Sequence, residues 1–135
     1  MREISLQQTG LNHPFHAVQL STGDYVVSQN TSPGAVVVVA VDGQVVRSFD
    51  QSSGQMCYPR SLAVTKSDSI LVADSGNDRI VVMNSSLCFL QELALPVDDG
   101  IQQPWGLCLD ETRRRMYVSE RIGRHRVLVF NNVRL

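Results

Sequence analysis

Three stretches of the chain begin with proline and recur at one fixed spacing. Residues 14–20 read PFHAVQL, residues 59–65 read PRSLAVT and residues 104–110 read PWGLCLD. The second proline follows the first by 45 residues, and the third follows the second by another 45. Each stretch opens with a short apolar run, so the same structural unit is written about three times in tandem.

Short valine-rich runs bounded by Gly, Asn, Asp and Ser fill each unit, and no stretch sustains an apolar stripe of helical period. A strand-built repeat with a period in the forties is typical of propeller blades, so the sequence predicts an all-β fold of four-stranded antiparallel β-propeller blades. The predicted strands are 17–20, 25–29, 35–41 and 45–49 in the first unit, 62–64, 70–74, 79–83 and 87–93 in the second, and 106–109, 115–120 and 127–130 in the third.

The spacing divides the chain into blades at residues 12–56, 57–101 and 102–135, the last lacking most of its fourth strand. Residues 1–11 are predicted to supply the outer strand of a preceding or closing blade, with the strand itself at Glu3–Leu6. Propellers typically need at least four blades. We therefore expect either further blades of a longer parent chain or a second copy that completes a six-bladed ring.

The composition restricts the class of protein but does not indicate which kind of partner it binds. With 12 basic and 13 acidic residues among 135, the formal charge of −1 argues neither for nor against nucleic acid. No apolar run approaches the length of a membrane span. The three cysteines, Cys57, Cys88 and Cys108, lie far apart without a C-x-x-C pair, which argues against a zinc ribbon. Unpaired thiols suit a reducing compartment, so we expect a cytoplasmic protein.

Residues 72–82 read VADSGNDRIVV, a strand ending in Asp, a Gly-Asn turn and an Arg that opens the next strand. This phrase resembles the NHL repeat. Residues 120–127 keep an acid and an arginine, whereas residues 29–35 of the first unit have neither. Because acid and arginine occur or vanish together, we predict two structural ion pairs across hairpins rather than ligand-binding groups. The predicted pairs are Asp74 with Arg79 and Glu120 with Arg126.

Strand direction alternates within a blade, so the loops that open the blades share one face with the loops between second and third strands. Trp105, the only tryptophan, could anchor a partner there or pack between blades. The basic loop after residue 120 could bind a partner or simply face water. The predicted partner-binding residues on this face are Phe15, Arg60, Trp105, Arg121, Arg124 and His125.

The NHL resemblance implies a non-catalytic interaction module that recognises a protein partner. Such propellers form the C-terminal recognition domain of tripartite-motif ubiquitin ligases, where they would select substrates. The alternative is single-stranded RNA bound by arginines and aromatic rings on the same face. A metal-dependent lyase or hydrolase is a third hypothesis. The candidate metal ligands His13, His16 and His125, however, occupy positions that are not expected to converge on one site. We therefore predict no catalytic residue, no metal and no cofactor.

Overall fold

The computed structural model describes residues 3–7, 9–51, 54–97, 100–121 and 126–135. Within these ranges the chain contains no α-helix, and a short 3-10 turn, Ser75–Asn77, lies between two strands. The strands are β1 Pro14–Gln19, β2 Tyr25–Gln29, β3 Ala35–Val39, β4 Val45–Ser48, β5 Pro59–Val64, β6 Ile70–Asp74, β7 Arg79–Met83, β8 Phe89–Glu92, β9 Pro104–Asp110, β10 Arg115–Glu120 and β11 Val127–Phe130.

The strands form three antiparallel sheets in which each strand pairs with its neighbour along the chain. The orders are β1-β2-β3-β4, β5-β6-β7-β8 and β9-β10-β11. Strands β1, β5 and β9 each begin a sheet and lie next to one another. This arrangement confirms the predicted propeller-blade fold. The third sheet has three strands among the described residues.

The sheets stack face to face because apolar side chains alternate along their strands. Val36 and Val38 of β3 face the second sheet, while Val37 and Val39 belong to the opposite face. In the second sheet, β6 and most of β7 are buried on both faces, whereas β8 is exposed. Each fully buried Val, Leu or Ile contributes about 1.5–3 kcal/mol relative to an exposed one. The cluster between the second and third sheets contains Leu71, Ala73, Ile80, Val82, Ile101, Met116, Val118 and Phe130.

The two outer faces of the stack differ. Ile4 and Leu6 pack against the outer face of the first sheet, although residues 3–6 form no strand. Their predicted role as the outer strand of another blade stays a prediction. On the third sheet, Val127 and Val129 remain 63% and 50% exposed.

Each blade begins with the same unusual backbone geometry. His13, Tyr58 and Gln103, which immediately precede the three repeated prolines, have positive φ angles of 52°, 52° and 42°. Such angles are uncommon for residues other than glycine, so their recurrence shows that the three blades start in the same way. The residue after each proline therefore occupies an equivalent place in every blade.

Candidate partner-binding site

Phe15, Arg60 and Trp105 are the second residues of β1, β5 and β9. Because those strands lie next to one another, the three side chains converge at the ends where the strands begin. The rings of Phe15 and Trp105 meet edge to face, with centroids 5.5 Å apart and planes at 87°. This geometry is favourable for aromatic pairs and links the first blade to the third.

Two arginines contact the same indole. The guanidinium carbon of Arg60 lies 4.0 Å from the centre of the Trp105 ring and 5.6 Å from that of Tyr58. Arg121, which directly follows β10, lies 5.0 Å from the Trp105 centre. These distances are those of cation–π interactions. We refer to these five residues, Phe15, Tyr58, Arg60, Trp105 and Arg121, as the upper cluster.

The upper cluster concentrates positive charge, and no carboxylate among the described residues pairs with its two arginines. Arg60 is only 7% exposed, and its buried Nε has no hydrogen-bond acceptor in the described part of the chain. Burial lowers the pKa of Arg60, and the nearby charge of Arg121 lowers the pKa further. Arginine remains protonated in spite of such shifts. The cluster therefore presents permanent cations beside aromatic rings, of which Phe15 and Tyr58 are 39% and 43% exposed.

Four of the six predicted partner-binding residues come together in this cluster: Phe15, Arg60, Trp105 and Arg121. The other two, Arg124 and His125, lie outside the described residues. Sequence reasoning missed Tyr58. Its position just before a blade-opening proline was the available signal, since that position lies on the same face.

A second group of polar residues shapes the turn after β6. The carboxylate of Asp74 is fully buried and accepts hydrogen bonds from the Cys57 backbone N–H at 2.8 Å, Asn77 Nδ2 at 2.8 Å and Arg79 Nε at 2.7 Å. These bonds tie the loop before β5 to the turn and to the start of β7. Asp74 and Arg79 thus form an ion pair inside the hairpin, with the arginine side chain 17% exposed.

The family model of the NHL repeat matches residues 56–83, which include this Asp–Asn–Arg turn. Residues 56–83 are an NHL repeat. The match covers the second blade from the loop before β5 to the end of β7.

Solved structures that resemble the chain are β-propellers. A streptogramin B lyase aligns with a TM-score of 0.64 and 13% identity, over 88% of this chain and 40% of the lyase chain. The WD40 propeller domain of Doa1 aligns with a TM-score of 0.66 and 14% identity, over 93% and 39%. Hydrazine synthase from Kuenenia stuttgartiensis aligns with a TM-score of 0.69 and 18% identity, over 91% and 34%.

At these identities the likeness shows the fold alone. The chain spans about two fifths of the length of the propellers it matches. No curated protein matches the chain in sequence.

The third unit contains a counterpart of the turn in the NHL repeat. Glu120 pairs with Arg126 Nε at 2.5 Å and accepts the Gln102 backbone N–H at 2.7 Å. The hydrogen bond from Arg126 lowers the pKa of Glu120, whose side chain is almost completely buried. Both ion pairs therefore lie within the blades, with their carboxylates turned away from solvent.

The residue two places after the first and the second repeated proline is also structural. His16 Nδ1 accepts a hydrogen bond from the Leu62 backbone N–H at 2.8 Å, and Ser61 Oγ accepts one from the Leu107 N–H at 3.0 Å. Each bond joins the first strand of one blade to the first strand of the next. Burial lowers the pKa of His16, which suits its role as an acceptor.

Neither a metal site nor a membrane-spanning helix is found in the described ranges. No group of three His, Cys, Asp or Glu side chains there could hold a metal ion. No helix in that part of the chain is long and apolar enough to cross a membrane.

Proposed function

We propose that the chain is a non-catalytic segment of an NHL β-propeller that binds a protein partner through the upper cluster. One observation carries the proposal: Arg60 and Arg121 both lie against the Trp105 ring, and neither has a carboxylate partner among the described residues. Tryptophan, tyrosine and arginine are the residues that dominate the binding energy of protein interfaces.

The cluster combines one immobilised arginine with accessible side chains around it. Arg60 is buried and held between the rings of Tyr58 and Trp105, so a partner would not have to immobilise it. Phe15, Tyr58 and Arg121 are exposed around it and offer apolar area and charge. A partner could therefore cover exposed aromatic area and meet cations that are already in place.

Single-stranded RNA is the alternative that the sequence raised, and the packing around Trp105 argues against it. Base stacking requires a free aromatic face. Here the indole already contacts two guanidinium groups and the ring of Phe15.

Some propellers that share the fold are enzymes, including the streptogramin B lyase. We propose a binding function because the five residues of the upper cluster are arginines and aromatic residues, and none of them is a carboxylate, a histidine or a cysteine. A role in substrate selection for a tripartite-motif ubiquitin ligase, in the cytoplasm, fits this proposal. That role rests on the family resemblance and on the free thiols of the three cysteines.

A quantitative capture experiment tests the proposed function. The tagged protein, its Arg121→Glu variant and its Phe15→Ser variant would be expressed in cells, and captured proteins would be quantified by mass spectrometry. The control Arg114→Glu changes an exposed arginine in the turn between β9 and β10, at the opposite end of the strands.

We expect a set of proteins that both upper-cluster variants lose and that the control retains. A purified member of that set should bind the protein directly. Its affinity should be lower for both upper-cluster variants and unchanged for the control. Equal recovery by all four proteins would overturn the proposal.

A further inference from the structure

We infer that the upper cluster is a carboxylate-binding site, which takes an acidic side chain of the partner between Arg60 and Arg121. The inference rests on the proposed function and specifies the chemistry of the bound group.

The first argument is the unsatisfied guanidinium of Arg60. Buried donors in folded proteins are almost always hydrogen-bonded, because a donor that loses its hydrogen bonds to water and gains no other acceptor destabilises the folded state. Arg60 is 7% exposed, and its buried Nε has no acceptor in the described ranges. A buried arginine that lacks an acceptor in the free protein indicates that a ligand supplies one.

The second argument is the contrast with three arginines that are paired with carboxylates. Arg79, Arg113 and Arg126 each lie within 3 Å of a carboxylate oxygen of their own chain, at 2.7, 2.9 and 2.5 Å. Arg60 and Arg121 have only the indole in common. Three arginines are therefore paired with carboxylates, whereas no carboxylate among the described residues pairs with either of the two arginines at Trp105.

The third argument is the repulsion between these two cations. Both guanidinium carbons lie within 5.0 Å of the same ring centre, and the charge of Arg121 lowers the pKa of Arg60. An anion bound to both would relieve the repulsion. A carboxylate can accept parallel hydrogen bonds from the planar fork of arginine, which lysine cannot offer. A single acidic side chain, flanked by apolar residues that contact Phe15 and Tyr58, fits the cluster.

The single tryptophan makes the site directly observable. Trp105 is the only tryptophan in the chain, so its fluorescence reports events at the upper cluster alone. The purified protein would be titrated with a capped peptide containing glutamate between leucines and, separately, with its glutamine counterpart. Two further probes are the glutamine peptide with a free C-terminal carboxylate and oligouridylate RNA.

We expect a saturable change with the glutamate peptide that the glutamine peptide does not produce. Arg121→Gln should weaken glutamate-peptide binding about tenfold, the usual effect of removing one charged hydrogen bond, and Arg60→Gln should weaken it by at least as much. Arg114→Gln, a change of equal charge at the opposite strand ends, should have no effect. If Arg60→Gln fails to fold, the exposed Arg121→Gln carries the test.

Equal binding of the glutamate and glutamine peptides would overturn the carboxylate site while leaving the proposed protein interaction intact. Binding of only the peptide with a free C-terminus would assign the site to chain ends instead of acidic side chains. Binding of RNA without binding of the glutamate peptide would overturn both this inference and the proposed function.

Discussion

His16 joins the first strands of two neighbouring blades, because its Nδ1 accepts the backbone N–H of Leu62 at 2.8 Å. Only an unprotonated ring nitrogen can accept this bond. Burial lowers the pKa of His16 below its ordinary value of 6.5, so the folded protein keeps the ring neutral where the unfolded chain begins to bind a proton.

The stability of the protein should therefore decrease as the pH falls from about 6.5 through the lowered pKa of folded His16. Above this range the contribution of the neutral ring is fully present. Urea denaturation between pH about 7.5 and pH about 5.5 would measure it. His16→Gln should flatten this part of the pH profile, whereas His13→Gln, which removes an exposed histidine, should leave it unchanged. Parallel profiles for the protein and its His16→Gln variant would contradict the assignment.

The buried turn of the NHL repeat should be far more sensitive than an exposed ion pair. Asp74→Asn removes the buried charge that faces Arg79 and leaves its largely buried guanidinium only the exposed Glu92 carboxylate at 3.7 Å, which should cost about 3 kcal/mol. Asp110→Asn removes the partner of Arg113, whose side chain is 68% exposed, and should change stability little. Denaturation of both variants under the same conditions gives the comparison. Similar losses in the two variants would show that burial does not determine the strength of these pairs.

The blade pattern was readable from the sequence because the repeated prolines, the alternating apolar residues and the turn signals all agree. Strand ends were less predictable. β3 ends at Val39 instead of residue 41, since Ala40 already closes the turn through its hydrogen bond to the Gln44 carbonyl. β8 begins at Phe89 instead of residue 87, because Leu87 adopts a positive φ of 61° in the preceding turn.

Part of the composition of the upper cluster could be predicted from the sequence, whereas the contacts within it could not. Equivalent positions after the prolines identified Phe15, Arg60 and Trp105 as neighbours on one face. The repeat pattern does not specify how one sheet is rotated against the next. The contact of Arg60 with the indole of a different blade, and the absence of an acceptor for its Nε, therefore required the structure.

Gly76 should be required for the close approach of two loops. An added Cβ there would stand 2.8 Å from the Cys57 carbonyl oxygen, a backbone atom that also accepts the Gly76 N–H. Gly76→Ala should therefore destabilise the protein by about 1–3 kcal/mol, as overpacking typically does. At Gly106 the corresponding Cβ would meet the Ser119 hydroxyl, which can rotate away. Thermal unfolding should show a smaller loss for Gly106→Ala, and the reverse order would refute this explanation.

The open face of the third sheet should make the polypeptide associate in solution. On β11, Leu128 and Phe130 pack toward the second sheet, while Val127 and Val129 point outward. Val129 aligns across the sheet with Tyr117, which aligns in turn with Cys108. This face has the apolar pattern of the interior faces of the stack, so contact with another blade would remove it from water.

We expect sedimentation velocity to show a mass that rises with protein concentration, through contact with a second copy. Val129→Asp should shift the distribution toward the monomer, because the contact would then bury an unpaired carboxylate. Val46→Asp is the matched control, since Val46 is 47% exposed on β4 and lies away from this face. A protein that is monomeric at every concentration, or one that both substitutions affect equally, would show that this face does not mediate association.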